Sequence, residues 1–325
     1  MVLAFFGVAL LVLSHPVAAL LSAIVLGIAY GPVNPFSTHI LARVVPETSR
    51  PLFLSIKQSA QPAGTAIAGL LLPFLVALYD WRLAMLATGV IALAIAFAIQ
   101  PLRSRIDADR DPARTIRAGS VLEPIGVVWR EPRLRCLALS GFVLSGTQVS
   151  LASFFVVYLT ETQAFTLATA GVLFTIMQIG GVLGRTVWGG IADRFVPANL
   201  MMTALCAGTS ILCAVTAFYA GQWSYIPLAF LSFWLGATSH GWNGIYFSEI
   251  IKFAPSGAVG VAASGAQFAT LSGVAFWPMM FGLIVAAGGG YTVAFLMHAT
   301  ATAVATFYIY AVLRDRRQKP EKESR

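Results

Sequence analysis

Charge is what this 325-residue chain lacks: only 10% of it is Asp, Glu, Lys or Arg, where a soluble domain carries about 25%. With 58% of its residues apolar, a water-soluble fold of this length has no single core large enough to hide them. The excess must face lipid. Lipid leaves no backbone polar group unpaired, so a spanning chain is either a set of helices or a closed barrel. The short alternating segments of barrel strands are missing, and long unbroken apolar runs stand in their place. Cysteine is scarce too. Cys136, Cys206 and Cys213 fall in or beside apolar runs with no paired spacing, which argues for small core residues rather than disulfides or metal ligands. No basic segment separates Met1 from the first apolar run, so no cleavable leader is expected. Reactive motifs are lacking as well: no His-Glu-x-x-His, no Gly-x-Ser-x-Gly, no phosphate-binding loop and no intramembrane Asp pair. That sets aside a membrane-embedded enzyme and a nucleotide-driven pump, and no cofactor or metal is expected.

What is present is an all-α membrane protein of about ten spans. The apolar runs cover 2–14, 17–44, 52–79, 83–102, 134–159, 167–191, 200–219, 225–253, 259–287 and 291–313. Each approaches the roughly 20 residues needed to cross a hydrocarbon core, the first being short. Residues 103–133 form a charged stretch between the fourth and fifth spans, and 314–325 form a polar tail. Within the stretch, 121–135 mixes Ile125, Val127, Val128 and Trp129 with Arg130, Arg133 and Arg135. It is expected either to lie on the inner membrane surface or to serve as a solvated linker.

The net charge of +8 is arranged for topology rather than for nucleic acid. Of the 21 Lys and Arg, all but Arg82 and Lys57 fall on one side when the inter-span stretches are assigned alternately. The excess of Lys and Arg marks the cytoplasmic side, so both termini are expected there. Tyr79, Trp81, Tyr158, Trp223, Tyr225 and Tyr291 suit the opposite interface. The expected partner is the lipid bilayer, with the chain acting as a monomer and no nucleic acid bound.

Motifs then narrow the class. Gly189, Asp193 and Arg194 match a Gly-x-x-x-Asp-Arg-x-Gly-Arg loop, with Val196 and Pro197 replacing its later Gly and Arg. Asp80-Trp81-Arg82 opens the fourth span. Gly31-Pro32 with Arg43, Ser55-Ile56-Lys57-Gln58 with Pro62 and Gly64, and Gly241-Trp242-Asn243-Gly244 with Glu249 complete the pattern. By these residues the chain resembles bacterial transporters of the major facilitator superfamily. The resemblance implies that 1–102 is equivalent to helices 3–6 of an N-terminal bundle lacking its first two helices. It makes 134–313 a six-helix C-terminal bundle, and places the protein in the bacterial inner membrane. It implies a secondary active transporter of a small solute, an organic anion among the options, working by alternating access with ion or proton coupling. A non-transporting remnant or a membrane sensor is the other class.

Polar groups inside spans are costly, and they mark where such a protein works. Lys57 lies about six residues into the third span, with Gln61 one turn further on the same face. Lys57 either binds an anionic substrate, joins a gate or snorkels to headgroups. Glu249 is a candidate gate residue that pairs either with Lys57, with an arginine or with Lys252 at i+3, or takes up a proton. His240 and Asn243 share a face of one helix and are substrate-binding candidates, His240 either titrating near neutral pH or packing structurally. Asn34, Ser37 and Gln148 lie near the midplane on helices that line the cavity in the family, whereas Gln178 and Gln267 are expected to bridge helices and His298 to pack structurally. Arg185, Asp193 and Arg194 form a cytoplasmic gate constellation by the same resemblance, with anchoring at the interface as the plain alternative for both arginines.

Overall fold

The computed structural model describes residues 1–30, 33, 50–102, 123–218, 224–255 and 258–313, the side chains of 50–56, 102 and 193 aside. Asn34 and Ser37 lie outside the described residues. Those described are helical, joined by short turns, with no strand among them. The elements are α1 (Val2–Val12), α2 (Pro16–Tyr30), α3 (Arg50–Leu78), α4 (Trp81–Ile99), α5 (Glu123–Arg130), α6 (Pro132–Glu161), α7 (Leu167–Arg194), α8 (Ala198–Phe218), α9 (Tyr225–His240), α10 (Asn243–Phe253), α11 (Val259–Ile284) and α12 (Gly290–Leu313). Six stretches are long and apolar enough to cross a membrane, the last of which, Val259–Leu313, holds both α11 and α12. The chain is therefore a multi-pass, all-α membrane protein.

Helix starts are set by side chains that satisfy the first orphan N–H groups. Asp80 accepts from the Leu83 N–H at 2.8 Å to open α4. Thr166 does the same for α7, accepting from the Thr169 N–H at 3.2 Å. Glu131 precedes α6, where Pro132 takes the first-turn position that needs no donor. Between α11 and α12 the helical path fails at Gly288 and Gly290, whose φ values of 87° and 65° suit residues without a Cβ.

The chain divides into two compact units, one of residues 1–61 and 67–117, the other of 118–325 together with 62–66. In the first, α1 packs on α2 and α4. The Ser22 hydroxyl donates to the Gly7 carbonyl at 2.6 Å, and Gly89 lets Phe5 lie against α4. In the second, helices associate as close pairs: α6 with α11, α8 with α12, and α7 with α9. The α7–α9 pair is close because Gly180 and Gly184 meet the backbone of α9 while Gly236 meets that of α7. Lipid gives such helices little hydrophobic reason to associate, so small residues and close backbone approach supply the contact.

The buried side chains of the second unit form two apolar clusters. One gathers Leu137, Leu144, Leu205, Trp242, Tyr246 and Ile309; the other gathers Leu151, Phe155, Leu173, Met177, Leu235 and Phe295. Between the clusters lie buried polar residues: Thr147, Gln148 and Ser150 on α6, Thr209 on α8 and Thr302 on α12. Cys136 and Cys206 lie in the first cluster and Cys213 in the second, as small core residues. A polar layer thus crosses the bundle part-way along its spans.

Candidate functional site

The expected span 225–253 is two helices, the regular hydrogen bonding being interrupted at Gly241-Trp242 while the φ and ψ of both stay right-handed helical. The cause is tertiary. Trp188 of α7 lies against Gly241, where a Cβ would stand 2.5 Å from the indole Cδ1 and 2.5 Å from the Ala237 carbonyl oxygen. Side chains then satisfy the carbonyls freed at the end of α9. The Trp188 indole N–H donates to Ala237 at 2.9 Å, and that of Trp242 donates to Ser239 at 3.0 Å. Arg185 Nε donates to the His240 carbonyl at 3.1 Å. Asn243 Nδ2 lies 3.4 Å from the same carbonyl and 3.4 Å from Gln148 Oε1.

The structure therefore brings Gln148, Arg185, His240 and Asn243 into one hydrogen-bonded group drawn from α6, α7, α9 and α10. Arg185 stands nine positions before the end of α7, about 13 Å along the axis at 1.5 Å per residue. It lies within a membrane-spanning stretch, apart from Arg194 at the end of the helix. The C-terminal end of α9 carries partial negative charge, which favours the guanidinium. His240 is buried, and its Nδ1 stands 2.9 Å from the Ser239 hydroxyl. Trp188 and Ser239 complete the group and are what motif reading missed. Trp188 stands one residue before the loop motif that opens at Gly189, and nothing local marked it as a donor to another helix.

The remaining candidates lie elsewhere. Glu249 of α10 is 3% exposed, and its Oε1 pairs with Lys252 Nζ at 3.5 Å, the i+3 alternative for this residue. Its Oε2 is buried and meets no hydrogen-bond partner among the described residues. Arg194 is exposed, and Asp193 is the penultimate residue of α7. In the first unit, Lys57 is half-buried at the start of the apolar part of α3, with Gln61 exposed one turn on. His298 packs inside the second unit, its Nδ1 2.9 Å from the Thr147 hydroxyl and its ring stacked on Phe281. Gln178 is buried in α7, and Gln267 is on α11.

The sequence profile of the Major Facilitator Superfamily matches residues 1–278. The chain belongs to that superfamily. The matched family and the curated relatives are transporters rather than enzymes. Among curated relatives, the gentisate transporter of Corynebacterium glutamicum is 26% identical over 300 residues, covering 89% of this chain and 65% of that protein. The gallate transporter of Pseudomonas putida is 25% identical over 289 residues, covering 79% and 64%. An uncharacterized MFS-type transporter of Mycobacterium tuberculosis is 28% identical over 199 residues, covering 58% and 42%. The chain thus spans between about two-fifths and two-thirds of the length of these relatives. Among solved structures, a bacterial homologue of the human lysosomal transporter Spinster, inward-facing and occupied, aligns over 96% of this chain and 80% of its own, with a TM-score of 0.68 and 14% identity. The Escherichia coli fucose:proton symporter aligns over 95% and 81%, with a TM-score of 0.60 and 18% identity. Both likenesses concern the fold.

Proposed function

We propose that this protein moves a small organic anion, with hydroxylated aromatic carboxylates as the leading class, across the bacterial inner membrane. The observation that carries the substrate class is Arg185, a guanidinium inside a membrane-spanning helix beside the amides of Gln148 and Asn243. An arginine at the centre of a spanning helix costs about 2.5–3.5 kcal/mol. A planar guanidinium matches the two oxygens of a carboxylate, while amides supply both donors and acceptors for hydroxyls. Gentisate and gallate, the solutes that give two relatives their names, are both benzoates with ring hydroxyls. Their chemistry fits this set of side chains.

Alternating access follows from the same reading. Discontinuous helices in transporters place half-helix ends at the substrate, and the α9–α10 break offers two such ends next to Arg185. The driving force is an ion or proton gradient. Glu249 with Lys252, and Asp193 with Arg194, would act at the cytoplasmic mouth, both termini being cytoplasmic by the distribution of Lys and Arg. In the first unit, Lys57 and Gln61 take part in handling the substrate.

The test is uptake of labelled gallate and gentisate into proteoliposomes carrying the full chain, with imposed proton and sodium gradients in turn. Uptake that is saturable, above empty vesicles and accelerated by one of the gradients is expected. Uptake equal to that of empty vesicles for both acids would overturn the substrate class.

A further inference from the structure

Gln178 stands on α7 seven residues before Arg185, two turns earlier and on the same face of the helix. The separation is about 10 Å along the axis at 1.5 Å per residue. Gln178 is 1% exposed, and its Nε2 is buried with no hydrogen-bond partner among the described residues. An amide in that position carries the full cost of having been taken out of water. Buried donors of folded proteins are nearly always paired, so this one calls for a physical reason.

The other amides of the polar group are engaged. Asn243 Nδ2 lies 3.4 Å from Gln148 Oε1 and 3.4 Å from the His240 carbonyl. Between Gln178 and Arg185, the same face of α7 carries Gly181, and the His240 Cβ lies 3.0 Å from where a Gly181 Cβ would stand. His240, whose carbonyl accepts from Arg185, therefore also packs beside the stretch that leads to Gln178. One helix face thus carries a guanidinium at one end and an unpartnered buried donor at the other.

We propose that Gln178 is a specificity residue of the transport path, donating from Nε2 to a ring hydroxyl of a solute whose carboxylate is held by Arg185. The inference rests on the transport reading and deepens it. A benzoate with a hydroxyl para to its carboxylate is rigid, with charge at one end and a hydroxyl at the other. A guanidinium and an amide two helical turns apart match those two ends. The Gln178 amide is already desolvated in the folded protein, so a hydroxyl that accepts from it adds a bond without further desolvation of the donor. A solute lacking that hydroxyl leaves the donor unpaired, which is how a site of this kind discriminates.

The test is equilibrium binding of benzoate, para-hydroxybenzoate and the methyl ester of the latter to the purified full chain. The wild type should prefer para-hydroxybenzoate to benzoate by about tenfold. Gln178→Met, which keeps the length of the side chain, should bind the two acids equally while still preferring acid to ester. Arg185→Gln should do the reverse, losing the preference for acid over ester and keeping that for the hydroxyl. Equal affinity of the wild type for both acids, or an undiminished hydroxyl preference in Gln178→Met, would overturn the proposal. Loss of both preferences in Gln178→Met would overturn it as well, by making Gln178 a structural support of the Arg185 group. A wild type that prefers the hydroxylated acid yet binds acid and ester equally would contradict the Arg185 reading and support that of Gln178.

Discussion

Replacing Gly184 by alanine isolates the contact on which the polar group depends. An alanine Cβ at this position would stand 2.5 Å from the Ala237 carbonyl oxygen, where ordinary contact begins at 3.4 Å. Helices α7 and α9 must then separate by about 0.9 Å, since the obstacle is backbone and has no rotamer to change. The same movement stretches the Trp188–Ala237 bond from 2.9 Å and the Arg185–His240 bond from 3.1 Å. Each ends near 4 Å, beyond hydrogen-bonding range. Overpacking costs about 1–3 kcal/mol, and loss of a hydrogen bond to a charged donor costs about 1.5–3 kcal/mol. Gly184→Ala should therefore lower the unfolding midpoint and weaken gallate uptake roughly 10- to 150-fold in kcat/KM. Gly190→Ala provides the control on the same helix. Nothing lies within 4 Å of its Cβ position, and alanine gains about 0.5–1 kcal/mol over glycine in a helix interior. Thermal unfolding followed by fluorescence and initial uptake rates, measured on both variants, decide the matter. A Gly184→Ala protein as stable and as active as Gly190→Ala would refute the close-approach reasoning.

Other substitutions separate packing from transport. Lys252→Ala should destabilise more than Glu249→Gln, because it strands a buried carboxylate whose second oxygen already meets no partner among the described residues. Comparing their unfolding midpoints checks this, and the reverse order would contradict the buried-charge argument. His298→Phe removes the imidazole from Thr147 and leaves a buried hydroxyl unsatisfied, a loss of about 1–3 kcal/mol. It should lower the unfolding midpoint while leaving KM for uptake unchanged, since His298 lies outside the Arg185 group. Gly146→Ala forces its Cβ against the Trp277 side chain, so a loss of about 1–3 kcal/mol in stability is expected by thermal unfolding.

Much of this architecture could be read from apolar run lengths and the arrangement of Lys and Arg. Composition alone required spanning helices, and the caps at Asp80 and Thr166 are local signals that survived folding. The break after His240 could not be read, because apolar character runs on through Gly241 and Trp242 and the cause is an indole from another helix. Arg185 had the same difficulty. Its neighbours Gly189, Asp193 and Arg194 carry a loop motif, which drew it toward the cytoplasmic edge, yet α7 stays helical to Arg194. The seating of α5 depended on Gly265, far along the chain, where only a close backbone approach gives a glycine meaning. Local patterns thus located the elements, while residues whose roles are set by a distant partner stayed hidden.

In the proposed transport cycle the guanidinium of Arg185 receives the carboxylate of an aromatic acid. Equilibrium binding of gallate and of its uncharged methyl ester to the purified protein and to Arg185→Gln tests it most directly. The wild type should bind gallate at least about tenfold more tightly than the ester, a gap of about 1.4 kcal/mol, and Arg185→Gln should remove that difference. Equal affinity of the wild type for acid and ester, or an undiminished preference for the acid in Arg185→Gln, would contradict the account.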